Sequence, residues 1–553
     1  MSQLQLTEMQ QALRRQNLLI DRFKKSRFLI IEDSADARGM LRGMLKDLSA
    51  IHIDLAVNGQ DAIEHLGQQS YDVVLCDYNL GKGKDGQQIL EESRYSGYLK
   101  YSSIFIMVTA ETSLEMVMGA LEYQPDSYLS KPFTRNELKT RLERTMQVKL
   151  EYSKIETAFE AKNYPGAVKL CEQKIRTEAR TPMRAHRIRA ECFLAMEEYE
   201  QALEVYEAIS RERDLPWAKI GKGKALFHLQ RFPESEAIFT ALIVEQPNVI
   251  ESYDWLAKIQ MACLKPNLAQ ETLMEATSRS PKAVLRQMEL ARLAMLNRSY
   301  LIAEKAFRKA IVLGSNSCYH SPENYLQYVR AMLVKIDTSR SKLSTDSYQE
   351  ARLFLKRMRK EFARDPLISV RSSWLESIVC GRYGNLEERD ELLSGATKRY
   401  DQFEDNIQLS LADEYVKTLC SLGLISEAEI FCEDLRTRID NLEYYESLLE
   451  HIDYGKKRLV AEKISAEAID LYERGAIVDA YARFTLAVSQ PNVSPNILIG
   501  AVTTCIDLAE KQHLNTDEWR TKCASFLARL SDINEYDHRY AQYSELKTRF
   551  EAL

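Results

Sequence analysis

Glycine and proline are sparse in this chain, at 20 and 13 of 553 residues. So few helix breakers favour long helices over much of the length. No apolar run is long enough to cross a bilayer, and the start, "MSQLQLTEMQQALRRQNLLIDRFKKSR", lacks the apolar core of a secretory leader. The ten cysteines stand singly, with no CxxC pair and no His/Cys group at zinc spacing. Several, such as Cys171, Cys192 and Cys432, sit in helical patterns as small apolar residues. These absences point to a reduced, cytoplasmic protein without a disulfide framework or a structural metal. A formal net charge of −6 gives no basis for non-specific binding to nucleic acid.

The chain is too long for one core, so several domains or a repeat array are expected. Its first 150 residues alternate strands with helices. Strands are expected at 27–31, 51–57, 71–77, 103–109 and 127–130, with helical patterns such as "ADARGMLRGMLKDL" and "TRNELKTRLERTMQVKL" between and after them. That alternation predicts a parallel sheet covered on both faces, with ligands at the carboxyl ends of the strands. The polar residues gather at that rim: Glu32 and Asp33 end the first strand, Asp77 the third, Thr109 the fourth, and Lys131 follows the fifth. Three carboxylates on one rim need a cation, and oxygen ligands of this kind suit magnesium. Lys131 and Thr109 add a fixed positive charge and a hydroxyl donor, which together stabilise a phosphoryl group carried on Asp77.

This constellation resembles the receiver domain of bacterial response regulators, over residues 27–148. The resemblance implies a flavodoxin-like, five-stranded α/β fold with Asp77 as phosphoacceptor. It implies Mg²⁺ held by Asp33, Asp77 and the Asn79 backbone carbonyl, supported by Glu32. Thr109 and Lys131 match the phosphoryl-binding hydroxyl and lysine, Thr109 and Tyr128 the switch pair, and Lys131-Pro132 a cis peptide. Asn79 and Glu111 match the two positions that tune dephosphorylation. Three departures stand out: Glu32 replaces an aspartate, Gly81 stands where a proline is usual, and the loop "LGKGKDG" is one residue longer. They bear on loop geometry and phosphorylation lifetime, and leave the acceptor in place. Lys82 and Lys84 either raise the potential met by a phosphodonor or are solvated loop charges.

From about residue 150 the pattern becomes paired helices with a period of about 34. An aromatic recurs at Tyr164, Tyr199, Phe232 and Tyr300, and a small residue at Ala167, Ala202, Ser235, Ala269 and Ala303. A larger apolar residue recurs at Cys171, Tyr206, Phe239, Leu273 and Phe307, and a small one on the first helix at Ala190, Gly223, Ala257 and Ala291. The pattern resembles a tetratricopeptide-repeat solenoid, which implies a concave groove for a protein or peptide partner. Groove candidates are Trp217, Lys224, Phe227, Lys258 and Arg292, a cationic and partly apolar set suited to an acidic segment.

The domain reading is an N-terminal helical arm at 1–25, the receiver at 26–149 and helical repeats at 150–336. A polar loop at 337–347 and further repeats with a cap at 348–553 follow. Leu6, Met9, Leu13, Ile20 and Phe23 share one face of the arm, which either packs on its own chain or dimerises. A histidine kinase or phosphotransfer protein is the expected donor, and no nucleic acid or membrane is expected as partner. A DNA-binding output needs a basic recognition helix after the receiver, and an enzymatic output needs a second metal or acidic motif. Neither is present, so the expected function is a non-enzymatic response regulator with a protein-binding output. A constitutive scaffold that uses its receiver only for docking is the alternative.

Overall fold

The computed structural model describes residues 20–110, 125–177, 182–334, 343–439, 441–490, 493–512 and 517–553. Most of the amino-terminal arm therefore lies outside the described residues. Its last turn does not: Phe23 is buried and stacks on Phe28 with ring centroids 6.0 Å apart.

Five parallel strands run in the order β2-β1-β3-β4-β5: β1 (Arg27–Ile31), β2 (His52–Ala56), β3 (Val73–Asp77), β4 (Ile104–Thr109) and β5 (Ser127–Ser130). Strand alternation divides the sheet between two cores. Phe28, Ile30, Val73, Leu75 and Ile106 face helices α1 (Ala35–Asp47) and α4 (Arg135–Glu160). Leu29, Ile31, Val74, Cys76 and Phe105 face α2 (Gly59–Gln68) and α3 (Gly86–Tyr95). Both faces are thus apolar, as a doubly covered parallel sheet requires. The strand order reverses at β1/β3, where Glu32 and Asp77 end adjacent strands.

Helix α4 does not stop near Leu150. A capping box of Thr134 and Glu137 starts it, and it runs unbroken for 26 residues, through the boundary drawn at 149/150. Lys149 is buried in mid-helix, 3.1 Å from Asp126 and donating to the Tyr101 carbonyl at 2.6 Å. Tyr101 packs on Phe159 at 5.0 Å, and buried Glu156 pairs with Arg184 of the next helical pair. The sheet domain and the first pair therefore share one helix and its polar anchors, with no free linker.

Beyond α4 every described regular element is a helix. The recurrent small residues are the points of closest approach. Ala167, Ala202, Ser235, Ala269 and Ala303 are fully buried, and a Cβ added to Gly223 meets the Phe239 ring at 2.5 Å. One further periodic feature is not a matter of residue type. Lys162, Glu197, Gln230, Leu264 and Arg298 all take left-handed φ of 56–61° at the turn after the first helix of a pair. The next amide bonds back into that helix, as from Lys265 to the Gln260 carbonyl at 2.8 Å, which closes a tight C-terminal cap. Later pairs give the position to Gly384, Gly423 and Gly475.

The chain forms two compact units: residues through Gln287 with Val312–His320, and Met288–Ile311 with Ser321–Leu553. The division falls well before the polar stretch at 337–347. Residues 335–342 of that region lie outside the described set, and by Ser344 the chain is already capping the helix Thr345–Glu361. In the second unit Trp374 packs between Tyr400 and Tyr415. The 32-residue helix Leu442–Glu473 gives Leu448 and Ile452 to that core and Ala461 and Ala468 to the terminal one around Trp519.

The left-handed turns give a direct test. Leu264 is 88% exposed, so a change there touches the backbone and little else. Leu264→Gly is expected to raise stability by up to about 1 kcal/mol, and Leu264→Ile to lower it by about 1 kcal/mol. Urea midpoints of the three proteins provide the check, and equal midpoints would mean the turn stores no strain.

Candidate functional site

Each rim residue owes its place to a strand end. Ile31 and Cys76 are paired across β1 and β3, so Glu32 and Asp77 emerge side by side. Asp77 is paired with Val108, which sets Thr109 one residue beyond it, and the Lys131 amide donates to the Thr109 carbonyl at 2.7 Å. The Lys131 ammonium then reaches Glu32 Oε2 at 2.8 Å and Asp77 Oδ2 at 2.9 Å. Burial works against that charge, but the hydrogen bonds and negative charges of Glu32 and Asp77 outweigh it and hold Lys131 above the usual lysine range. The Lys131–Pro132 bond is cis.

One oxygen from each of Glu32, Asp33 and Asp77 lies within 4.8 Å of the others, the one group of three or more candidate metal ligands among the described residues. Glu32 is 2% exposed and Asp77 8%, whereas Asp33 faces solvent. Asn79 sits in the exposed loop, where its Oδ1 accepts from the Gly81 amide at 3.3 Å. Gly81 has φ of +72°, a value closed to proline, which accounts for the missing proline; a Cβ there would lie 3.4 Å from Asp33 Oδ2. Tyr128 on β5 packs on the α2/α3 core, and burial pushes its phenol up while Arg94 partly offsets this. Its hydroxyl has no hydrogen-bond partner among the described residues. Glu111 lies outside the described residues.

Two features escaped sequence reasoning. Arg38 donates to the carbonyls of Glu32 at 2.6 Å and Asp33 at 3.2 Å, fixing the backbone that carries the acidic pair. Its only signal was an arginine in the first turns of the helix after that pair. Lys84 is neither a solvated charge nor aimed at the rim: it pairs with Glu92 at 2.6 Å and donates to the Asn316 carbonyl at 2.8 Å.

In the helical region four of the five groove candidates lie in adjoining environments, and Arg292 lies apart. Lys224 pairs with Glu251 at 2.5 Å, and Lys258 lies 4.4 Å from the centroid of Trp255, against which Phe227 packs edge-on at 5.5 Å. Trp255, which the sequence reading did not single out, is thus the common neighbour. Trp217 instead packs on Tyr206 at 6.2 Å and, with Lys224, lines a cavity of about 610 Å³. Arg292 belongs to the second unit and pairs with Glu289 one turn back.

The second unit also holds a cavity of about 830 Å³ whose lining includes Arg298, Arg330, Arg371, Arg382, Arg458 and Arg539. Lys417 adds a seventh cation, and Asp413 and Glu414 are the acids on the wall. Arg330 and Arg371 are cross-braced by Glu414 and Glu323, with Arg371 at 2.6 and 2.9 Å from the two carboxylates. Burial opposes the Arg371 charge, but the two glutamates hold it above the usual range. Each guanidinium keeps further N–H donors beyond those this brace consumes.

Residues 28–143 match the family described as response regulator receiver domain. Among curated proteins, chemotaxis protein CheY-3 of Vibrio cholerae is 29% identical over 124 residues, 22% of this chain and 94% of that protein. Chemotaxis protein CheY of Pseudomonas aeruginosa is 28% identical over 121 residues, 22% of this chain and 96% of that protein. Among solved structures, chemotaxis response regulator CheY4 of Vibrio cholerae is 25% identical with a TM-score of 0.20, covering 22% of this chain and 98% of that one. The chain therefore carries an amino-terminal receiver domain. No described helix is long and apolar enough to cross a membrane.

Removing the Lys131 charge leaves Glu32 and Asp77 facing each other. Lys131→Met is expected to lower receiver stability by about 2 kcal/mol, less than the loss of a fully buried partner because the ammonium is part-exposed. The folded state raises the Lys131 pKa, so this stabilisation is complete below the ordinary lysine value of 10.5 and is lost as pH rises through the higher folded value. The gap between wild-type and Lys131→Met unfolding midpoints should therefore hold from pH 6 to 9 and shrink above 10.5. A gap unchanged at pH 11.5 would show that the lysine acts through packing.

Proposed function

We propose that this protein is a two-component response regulator that accepts a phosphoryl group on Asp77 and signals by changing what its helical array binds. The observation that carries the reading is the Lys131 ammonium shared between Asp77 and Glu32, with Asp33 alongside. The donor set, three carboxylate oxygens, fits a hard divalent cation of the size of Mg²⁺. Asp33, Asp77 and the Asn79 carbonyl would hold it with Glu32 in support, and the ion would supply charge neutralisation to the phosphoryl oxygens.

In the chemistry, an Asp77 carboxylate oxygen attacks phosphorus. The bond to the donor, a phosphohistidine or a small acyl phosphate, breaks in line, and the donor leaves with the electron pair. Lys131 then has a phosphoryl oxygen to pair with in place of the bare carboxylate, and the Thr109 hydroxyl supplies a hydrogen bond. Thr109 drawn toward the phosphoryl group leaves room beside the half-buried Tyr128 ring, and the pair thereby changes the β4–β5 side of the domain. Asn79 and Glu111 set the rate at which water removes the group. A histidine kinase or phosphotransfer protein is the natural donor.

The output is protein binding by a tetratricopeptide-type array, and the arginine-lined cavity of the second unit favours an acidic segment as partner. A constitutive scaffold is the competing reading, and it differs in one respect: the two phosphorylation states then bind alike.

Intact-mass spectrometry with acetyl phosphate and Mg²⁺ should show one phosphoryl-sized gain in wild type, none in Asp77→Ala, and none when the metal is chelated. An equal gain in Asp77→Ala would move the acceptor elsewhere. For the array, a fluorescein-labelled Glu-rich peptide should bind the full chain, lose affinity as salt rises, and bind Arg298→Ala/Arg382→Ala several-fold more weakly. A Lys-rich peptide binding equally well would remove the acidic-partner reading.

A further inference from the structure

The loop that leaves Asp77 is not free at its far end. It contains Gly81 at φ +72° and Gly83 at φ +105°, two positions that give it unusual backbone freedom. Its closing residues are nevertheless held from several sides. A Cβ on Gly59 would lie 2.5 Å from Lys84 Cβ, so the loop is pressed against the start of α2. A Cβ on Gly86 would lie 2.5 Å from the Asp77 carbonyl, so the start of α3 is pressed against the acceptor's own backbone. Asp85 caps α3 and Gln88 closes the capping box.

A distant stretch of chain within the same compact unit completes the hold. Segment 312–320 meets the loop and α3 at four points. Lys84 Nζ donates to the Asn316 carbonyl at 2.8 Å, and Asn316 Nδ2 donates to the Gly83 carbonyl at 3.3 Å. Gln88 Nε2 donates to the Leu313 carbonyl at 3.2 Å, and the Tyr95 and Tyr319 rings meet edge-on at 5.7 Å. Lys282, more than 190 residues from the loop in sequence, places its ammonium 5.8 Å from the Tyr78 ring centroid. Lys84 is the pivot, because its second partner, Glu92, ties the same ammonium to α3 at 2.6 Å.

We propose that segment 312–320 is a clamp on the phosphoacceptor loop, with Lys84, Gln88 and Asn316 as positioning residues for the chemistry at Asp77. This rests on the reading of Asp77 as acceptor. The clamp removes the freedom that Gly81 and Gly83 would otherwise give the loop, and so fixes the Asn79 backbone before a cation arrives. Ordering a ligand in advance raises affinity without adding a contact. Linkage makes the effect reciprocal: if the clamp strengthens cation binding at the rim, cation and phosphoryl binding strengthen the clamp by the same factor. The helical part of the chain thereby has a route to the receiver through the β3–α3 loop, distinct from the shared helix α4.

The test uses the full chain in four forms: wild type, Lys84→Met, Asn316→Ala and Lys84→Arg. Mg²⁺ affinity is read by isothermal titration, and the rate of acetyl phosphate labelling by intact mass at low and saturating Mg²⁺. Lys84→Met and Asn316→Ala should each weaken Mg²⁺ binding about 3- to 10-fold, the size of one or two lost hydrogen bonds. Their labelling should slow at low Mg²⁺ and return to the wild-type rate at saturation, a recovery that a misfolded receiver would not show. Lys84→Arg, which keeps both donors, should behave as wild type. Hydrogen exchange over 312–320 should slow on phosphorylation of wild type and stay unchanged in Asp77→Ala. Unaltered Mg²⁺ affinity in both disruptive variants, with normal labelling of wild type, overturns the clamp and leaves the acceptor standing. Failure of wild type itself to label overturns the acceptor reading instead.

Discussion

One ammonium group makes the rim of this sheet possible. Glu32 and Asp77 end neighbouring strands and are almost wholly buried, and Asp33 adds a third carboxylate beside them. Such a group is costly unless a cation compensates it. Lys131 does so from the end of β5, two strands from β3 and about 10 Å away at ordinary strand spacing. Only a long, flexible, charged side chain spans that gap. The backbone bond from the Lys131 amide to the Thr109 carbonyl fixes where the span begins.

The helical region obeys a different constraint, the distance at which two helices can approach. Small residues at fixed positions let the paired helices close, and larger partners such as Phe239 over Gly223 fill what remains. The turn between the helices of a pair is equally constrained, since five of them hold a non-glycine residue in the left-handed region. Such residues endure because the cap they close satisfies the last carbonyls of the helix. Where glycine takes the turn, at Gly384, Gly423 and Gly475, the same geometry comes without the Cβ strain.

Between the two architectures there is little slack. Helix α4 belongs to the receiver core through Leu138, Leu142 and Met146, and to the first helical pair through Tyr152 and Ile155. Lys149 and Glu156 are buried along the same stretch and paired with residues from either side, Asp126 and Tyr101 on one and Arg184 on the other. A change in the receiver cannot be absorbed by a loose tether at this junction. The Lys84–Asn316 contacts add a second point at which receiver and helical chain meet, in the loop that follows Asp77.

The local chemistry of the rim was legible in the chain alone. Apolar runs ending on Asp77 and Glu32-Asp33 located the strands and the site together, because a buried strand has few reasons to end in acid. The helix pairs were legible for a similar reason: a period near 34 in residue size records which positions touch. What could not be read were features set by backbone geometry or by residues far apart in sequence. The φ of Gly81 explains a missing proline only once the loop is seen folding over Asp33. That Lys224, Phe227 and Lys258 share Trp255 as a neighbour did not show in their spacing. Lys84 looked like a loop charge until Asn316, 232 residues on, supplied its acceptor. Residue type and spacing report what each segment prefers by itself, whereas the partner of a long charged side chain is fixed only when the folded chain brings one within reach.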